Sequence, residues 1–355
     1  MSEIYSSVLR ISLTFATTLI VGYALDQFNV PLGWMLGAML ASGCIAATQG
    51  PPFALPPAMQ RAGLVVLATS TGLTVTSEAI AMLWQWIPTI LVTIVVLVII
   101  STLASVLYAR IGGVSGSTAF FSLMPGGVVE MAILGQRYDA NQSVISVMHA
   151  LRVVMIVVIL PTVAALFNEN NQTSATINPA NILDTGALLI ALAIASVGGT
   201  LGHLFKLPAA WLLGSLLAVA GMSSSGLIQI GGVPSLWIIV AQWTIGVSLG
   251  LRFTRQTVQA LPRALLTGAP IQFGLIAFSA LIALVLSHTF VASPTTLMLS
   301  TAGGGMAEMT LAGKLLGANV ALIAGFHTFR AVAVNLLAIQ IWQWVSRNHK
   351  KPKSQ

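Results

Sequence analysis

Charge is what this 355-residue chain has least of: Asp, Glu, Lys and Arg make up only 6% of it, against roughly 25% in soluble domains. A soluble protein of this length would show polar helix faces, and there are too few ionisable side chains here to build them. Cysteine is nearly missing as well. Cys44 stands alone, which excludes an intramolecular disulfide and any cysteine-based metal site. The histidines, His149, His203, His288, His327 and His349, lack the spacing of copper or iron ligands. No Gly-x-x-x-x-Gly-Lys-Ser/Thr loop occurs, so ATP is not the expected direct driver. No zinc-finger spacing, basic recognition helix or RNA-binding signature accompanies the net charge of +7, so nucleic acid is not an expected partner. No metal or cofactor is implied, and no nucleophile–base constellation points to an enzyme.

What the chain has in abundance is apolar length. Hydrophobic residues make up 56% of it, and runs of about 18 or more recur, each long enough to cross about 30 Å of hydrocarbon. The runs lie near 4–25, 31–48, 57–76, 84–108 and 142–168, then near 186–204, 208–225, 234–251, 264–287 and 320–345. This predicts an all-α polytopic membrane protein, with the lipid bilayer as a partner. Arg10 ahead of the first run resembles the start of a signal peptide. The corresponding run in the second half is internal, however, so the first is read as a retained span.

The chain is also duplicated. Between 125–154 and 303–332, at a spacing of 178 residues, 11 of 30 positions are identical without a gap. Gly126, Gly127, Glu130, Asn141, His149 and Arg152 recur as Gly304, Gly305, Glu308, Asn319, His327 and Arg330. Rare polar chemistry repeats here, not only apolar packing, which points to a paired site.

Between the fourth and fifth runs of each half lies an odd segment, 114–138 or 293–316. Each reads as two short apolar arms joined by Pro125, Gly126 and Gly127 or by Gly303, Gly304 and Gly305. The segment is either a broken crossing helix or a re-entrant hairpin. Re-entrant hairpins give two inverted repeats of five spans and place 12 basic loop and tail residues on one side: Arg10, Arg61, Arg110, Arg137, Lys206, Arg252, Arg255, Arg263, Arg347, Lys350, Lys351 and Lys353. Lys314 alone falls on the other side. Crossing helices would split these charges. Positive loops stay cytoplasmic, so the expectation is inverted repeats with both termini in the cytoplasm. The first repeat is read as 1–168, a polar outer-face linker as 169–184, the second repeat as 185–346 and a basic cytoplasmic tail as 347–355.

Arg152 and Arg330 fall about ten residues into their runs, roughly 15 Å deep at 1.5 Å per residue. A charge at that depth costs at least about 2.5–3.5 kcal/mol and needs a partner. The expected partner is a Glu, from the same half or the other. Such pairs could simply lock the hairpins, but one lock would suffice and two full Glu–His–Arg sets are kept. On the functional reading, Arg152, Arg330 and the amides at Gly126, Gly127, Gly304 and Gly305 bind an anionic group. Glu130, His149, Glu308 and His327 are then proton-coupling or ion-pair candidates. Broken helices in inverted repeats are the usual substrate site of secondary transporters.

Pro31, Trp34 and Gly37 recur as Pro208, Trp211 and Gly214. Gly33 and Gly37, like Ala210 and Gly214, form a small-residue face for close packing between spans or across a homodimer. Ser70, Gly72 and Leu73 recur as Ser248, Gly250 and Leu251 and could flank a cavity.

At these two duplicated motifs the chain resembles the AbrB membrane-protein family of bacteria, over essentially its whole length. The family is distinct from the small soluble DNA-binding regulators that share its name. Gly303 stands where its pattern has Pro, which would loosen the second tip. The resemblance implies an inner-membrane protein, linked in some members to regulation of gene expression. An ammonia monooxygenase label also occurs in the family, and the histidines here give it no support. The leading expectation is secondary transport of a small anionic solute, with proton coupling. The alternative is a membrane sensor that affects gene expression indirectly through short loops or the tail.

Overall fold

The computed structural model describes residues 2–167, 185–207, 209–227, 232–252, 262–290 and 292–349, and among these residues lie 14 helices. The linker 169–184, Pro208, Arg255 and the tail beyond His349 lie outside the described residues. Each expected apolar run is a helix. In the first half they are α1 (Ser2–Gln27), α2 (Gly33–Gln49), α3 (Pro57–Gly72), α4 (Ser77–Gly112) and, after the odd segment, α7 (Gln142–Leu166). In the second they are α8 (Thr185–Leu204), α9 (Ala210–Ser224), α10 (Ser235–Gly250), α11 (Pro262–Thr289) and α14 (Val320–His349). Each odd segment is a pair of short helices, α5 (Gly116–Leu123) and α6 (Val128–Gln136), then α12 (Pro294–Thr301) and α13 (Met306–Leu315).

Local chemistry sets the boundaries. Thr76 accepts the Ala79 amide to cap α4, and Gly113, at φ 65°, ends it in the left-handed region. Ser115 and Ser293 cap α5 and α12 through the amides of Thr118 and Thr296. Five helices, α4, α7, α8, α11 and α14, are long and apolar enough to cross a membrane. On α4 the exposed face is Val92, Val95, Ile99, Leu103 and Leu107, a surface suited to lipid rather than water. The helices α2, α3, α9 and α10 have only 15–17 residues. At 1.5 Å per residue they reach roughly 23–26 Å.

The short helices gather in one body, where α1 packs on α2, α8 on α9, α2 on α10 and α3 on both α9 and α10. The small-residue face is used inside the chain. A side chain at Gly37 would overlap the backbone of Gly22 on α1, and one at Gly214 would overlap Gly198 on α8. The second body holds α4–α7 and α11–α14, with α4 packed on both α11 and α14. The most extensive helix contact between the bodies is α13 against α3. There Met306 and Ala307 meet Ala68, Leu212 and Leu216.

Candidate functional site

An interrupted helix leaves its last carbonyls and the next helix's first amides without helical partners. In a low-dielectric interior each such group costs several kcal/mol unless satisfied. Here α5 stops at Leu123 and α6 starts at Val128; α12 stops at Thr301 and α13 starts at Met306. The long helix that follows each pair supplies the missing donors.

On α7, Arg152 donates from Nη1 to the Met124 carbonyl (2.7 Å) and from Nη2 to the Gly126 carbonyl (3.1 Å). His149, one turn earlier, bonds the Phe121 carbonyl through Nε2 at 2.9 Å, and its Nδ1 lies 2.8 Å from Arg152 Nη2. A guanidinium only donates, so Nδ1 accepts and the ring proton sits on Nε2. The second half repeats this 178 residues on. Arg330 donates from Nη1 to the Ala302 carbonyl, His327 Nε2 bonds the Leu299 carbonyl at 2.9 Å, and Arg330 Nη2 lies 3.1 Å from His327 Nδ1. All four side chains are buried: His149 and His327 are 0% exposed, Arg152 4% and Arg330 6%. A cation at the C-terminal end of α5 or α12 also complements the helix dipole.

The far end of each pair is pinned in the same way. The Asn141 amide donates to Thr118 Oγ1 at 2.9 Å, and the Asn319 amide to Thr296 Oγ1 at 3.1 Å. Asn141 Oδ1 caps α7 through the Ser143 and Val144 amides, while Asn319 Oδ1 accepts from Leu322.

The carboxylates do not do what the spacing led us to expect. Among the described residues neither guanidinium is paired with a carboxylate; both serve backbone carbonyls and imidazoles. Glu130 and Glu308 turn instead toward the starts of their own helices. A side chain at Gly127 would collide with the Glu130 carboxylate, and a Cβ at Gly305 would lie 3.4 Å from Glu308 Oε2. The reason is local. A carboxylate in the first turn gains from the helix dipole, and the broken helix end presents carbonyls that claim the arginine first.

The two halves meet at Arg152. A Cβ on Gly304 would lie 3.4 Å from Arg152 Nε, so the arginine of the first half lies beside the glycine tip of the second. Arg152, Pro125 and Gly303 line a small cavity of about 20 Å³ with Ser101, Ser279 and Gln272. Among the described residues, Arg152 Nε, Arg330 Nε and Gln272 Oε1 have no hydrogen-bond partner. Three cavity residues escaped the sequence reading. Ser101 and Ser279 are also 178 apart, a signal lying outside the compared block. Gln272 is a lone amide in a long apolar span, visible in sequence but without a twin: its counterpart is Ile94.

The duplicated tip-and-arginine block is thus built twice over, and family comparison can be set beside it. A family model described as "Transition state regulatory protein AbrB" matches residues 34–346. The chain belongs to the AbrB family. It is 27% identical over 349 residues to a protein of Escherichia coli (strain K12) named "Putative regulator AbrB", covering 96% of this chain and 97% of that one. It is 24% identical over 353 residues to "Uncharacterized protein YhjN" of Bacillus subtilis (strain 168), covering 94% and 92%. The likeness to these AbrB-family relatives therefore takes in both halves, and with them both glycine tips.

Proposed function

We propose that this AbrB-family chain is a secondary transporter for a small anionic solute, built from two oppositely inserted five-span repeats with re-entrant helix pairs. The observation that carries the reading is the approach of Arg152 to the glycine tip of the other half, at a small cavity lined in part by Ser101, Gln272 and Ser279. Two broken helices converging on one polar site is the arrangement by which irregular backbone is tolerated at membrane depth. Placement in the inner membrane is what the family resemblance implies, and the Lys/Arg distribution on the inverted-repeat layout supports cytoplasmic termini.

The halves also differ as two states of one cycle would. Glu308 is 7% exposed while Glu130 is exposed. Lys314 on α13 donates to the carbonyl and hydroxyl of Ser70 near the end of α3. The matching Gln136 on α6 is exposed. In an inverted repeat the opposite state is the exchange of these two conformations: α6 docks on α10 near Ser248 and α13 leaves α3. The coupling groups on this reading are Glu130 and Glu308, because both nitrogens of each imidazole are already engaged.

Cysteine pairs test the alternation in a Cys44→Ser background. A short cross-linker should trap Ser70→Cys with Lys314→Cys and, in a separate protein, Ser248→Cys with Gln136→Cys, and each trap should stop uptake in proteoliposomes. Quantitative linkage of the first pair with none of the second under any condition would sink the two-state cycle. A sensor role draws support from the regulatory names borne by the family and by the E. coli relative. Removing 347–355 would favour it if a regulatory phenotype disappeared while solute binding persisted.

A further inference from the structure

We infer that the cavity beside Arg152 selects a small monoanion carrying its own hydrogen-bond donor, with a short 2-hydroxycarboxylate as the leading class, and that Gln272 reads that donor. The inference rests on the transport reading and narrows it to a substrate chemistry.

Gln272 is 0% exposed. Its Nε2 faces the Met148 carbonyl at 3.5 Å. A carbonyl only accepts, so the amide nitrogen belongs on that side and Oε1 on the other. Oε1 has no partner among the described residues, and Gln272 lines the cavity with Arg152, whose Nε–H likewise has none among them. The site therefore offers one strong donor and one acceptor, with the hydroxyl-bearing Ser101 and Ser279 alongside.

Charge sets the next requirement. Arg152 is a buried cation, and among the described residues no carboxylate is paired with it. A ligand bearing one negative charge neutralises it and accepts from Arg152 Nε. A simple halide, or a carboxylate with no other polar group, would leave Gln272 Oε1 desolvated and unpaired. A neutral alcohol would satisfy Oε1 but not the guanidiniums. Only an anion with its own O–H or N–H serves both.

Size and wall chemistry narrow the class. At about 20 Å³ the cavity as it stands takes one water-sized group, so the ligand has few heavy atoms and seats as the helix arms part. Leu97, Leu275 and Ile276 form apolar walls, which suit a short carbon skeleton and favour a hydroxycarboxylate over an inorganic hydrogen oxyanion. Because the counterpart of Gln272 is Ile94, the acceptor exists on one side only and the ligand binds in one orientation.

In each of two probe pairs one member carries a donor that the other lacks: hydroxyacetate against acetate, and hydrogencarbonate against nitrate. Binding to the purified full chain in detergent is followed by calorimetry, with Gln272→Met in parallel. Hydroxyacetate should bind at least about 10-fold tighter than acetate, and Gln272→Met should shrink that gap to less than about 2-fold while acetate still binds. Preference confined to hydrogencarbonate over nitrate would support the donor requirement and assign the ligand to the inorganic oxyanions. Equal affinity within both pairs on the unmodified protein overturns the inference, leaves anion transport standing, and does not depend on the variant folding. No binding of any of the four overturns both.

Discussion

In the first half the tip reaches α6 through Gly127 at φ −73°, with Glu130 exposed; in the second it reaches α13 through Gly305 at φ 68°, with Glu308 buried. The first half's arginine holds two tip carbonyls and leans on the other tip, while Arg330 holds the Ala302 carbonyl and its own histidine. Yet the histidine-to-carbonyl, arginine-to-carbonyl and Asn–Thr contacts recur at the same spacing. The duplicated side chains build the same lock twice. What surrounds each lock sets whether its tip is open or covered.

The largest effect should come from the arginines. Arg152→Leu strips partners from two tip carbonyls and an imidazole and should cost about 3 kcal/mol or more, and Arg330→Leu, with one carbonyl and an imidazole, about two-thirds of that, read by thermal unfolding in detergent. Equal losses would remove the asymmetry from the comparison. Next, with Cys44→Ser as background, Glu130→Cys should react with a maleimide at least about 10-fold faster than Glu308→Cys, since a thiol must be reached to react. Similar rates would mean that the two tips are equally open in solution. A smaller contrast is expected between Lys314→Met and Gln136→Met. The first loses its Ser70 contacts and should cost about 1–2 kcal/mol, and the second, on an exposed face, should stay within about 0.5 kcal/mol. The smallest is at the glycines. Gly305→Ala must hold a left-handed φ at a cost of about 1 kcal/mol. At Gly127→Ala the collision is with the movable end of Glu130, so the loss should be less. A reversed order would show that the tips exchange conformations freely.

Much of this was legible beforehand because membrane helices write themselves as apolar length. Runs near 57–76 and 234–251 became α3 and α10, and the Gly-rich joints at 125–127 and 303–305 fell inside the breaks. The arginines were found by their cost at depth and the histidines by their position one turn earlier. Their partners were not found. The expectation of Glu–Arg pairs followed formal charges, whereas the groups in need were Met124, Gly126 and Ala302 carbonyls that exist as acceptors only once a helix is interrupted. Gln272 was missed for a related reason. One amide in a span carries no periodic signal, and its role depends on which helix lies opposite.

The chain's own composition and repetition thus determined that it is a helical, membrane-spanning protein made twice over, with polar chemistry concentrated at two glycine tips. Tertiary structure alone decided that the small-residue faces close within the chain, that Arg152 reaches the opposite tip and that Glu308 is covered while Glu130 is not. Identical residues carry identical bonding capacity, but burial and electrostatic surroundings belong to the neighbours, and the neighbours of α6 and α13 differ.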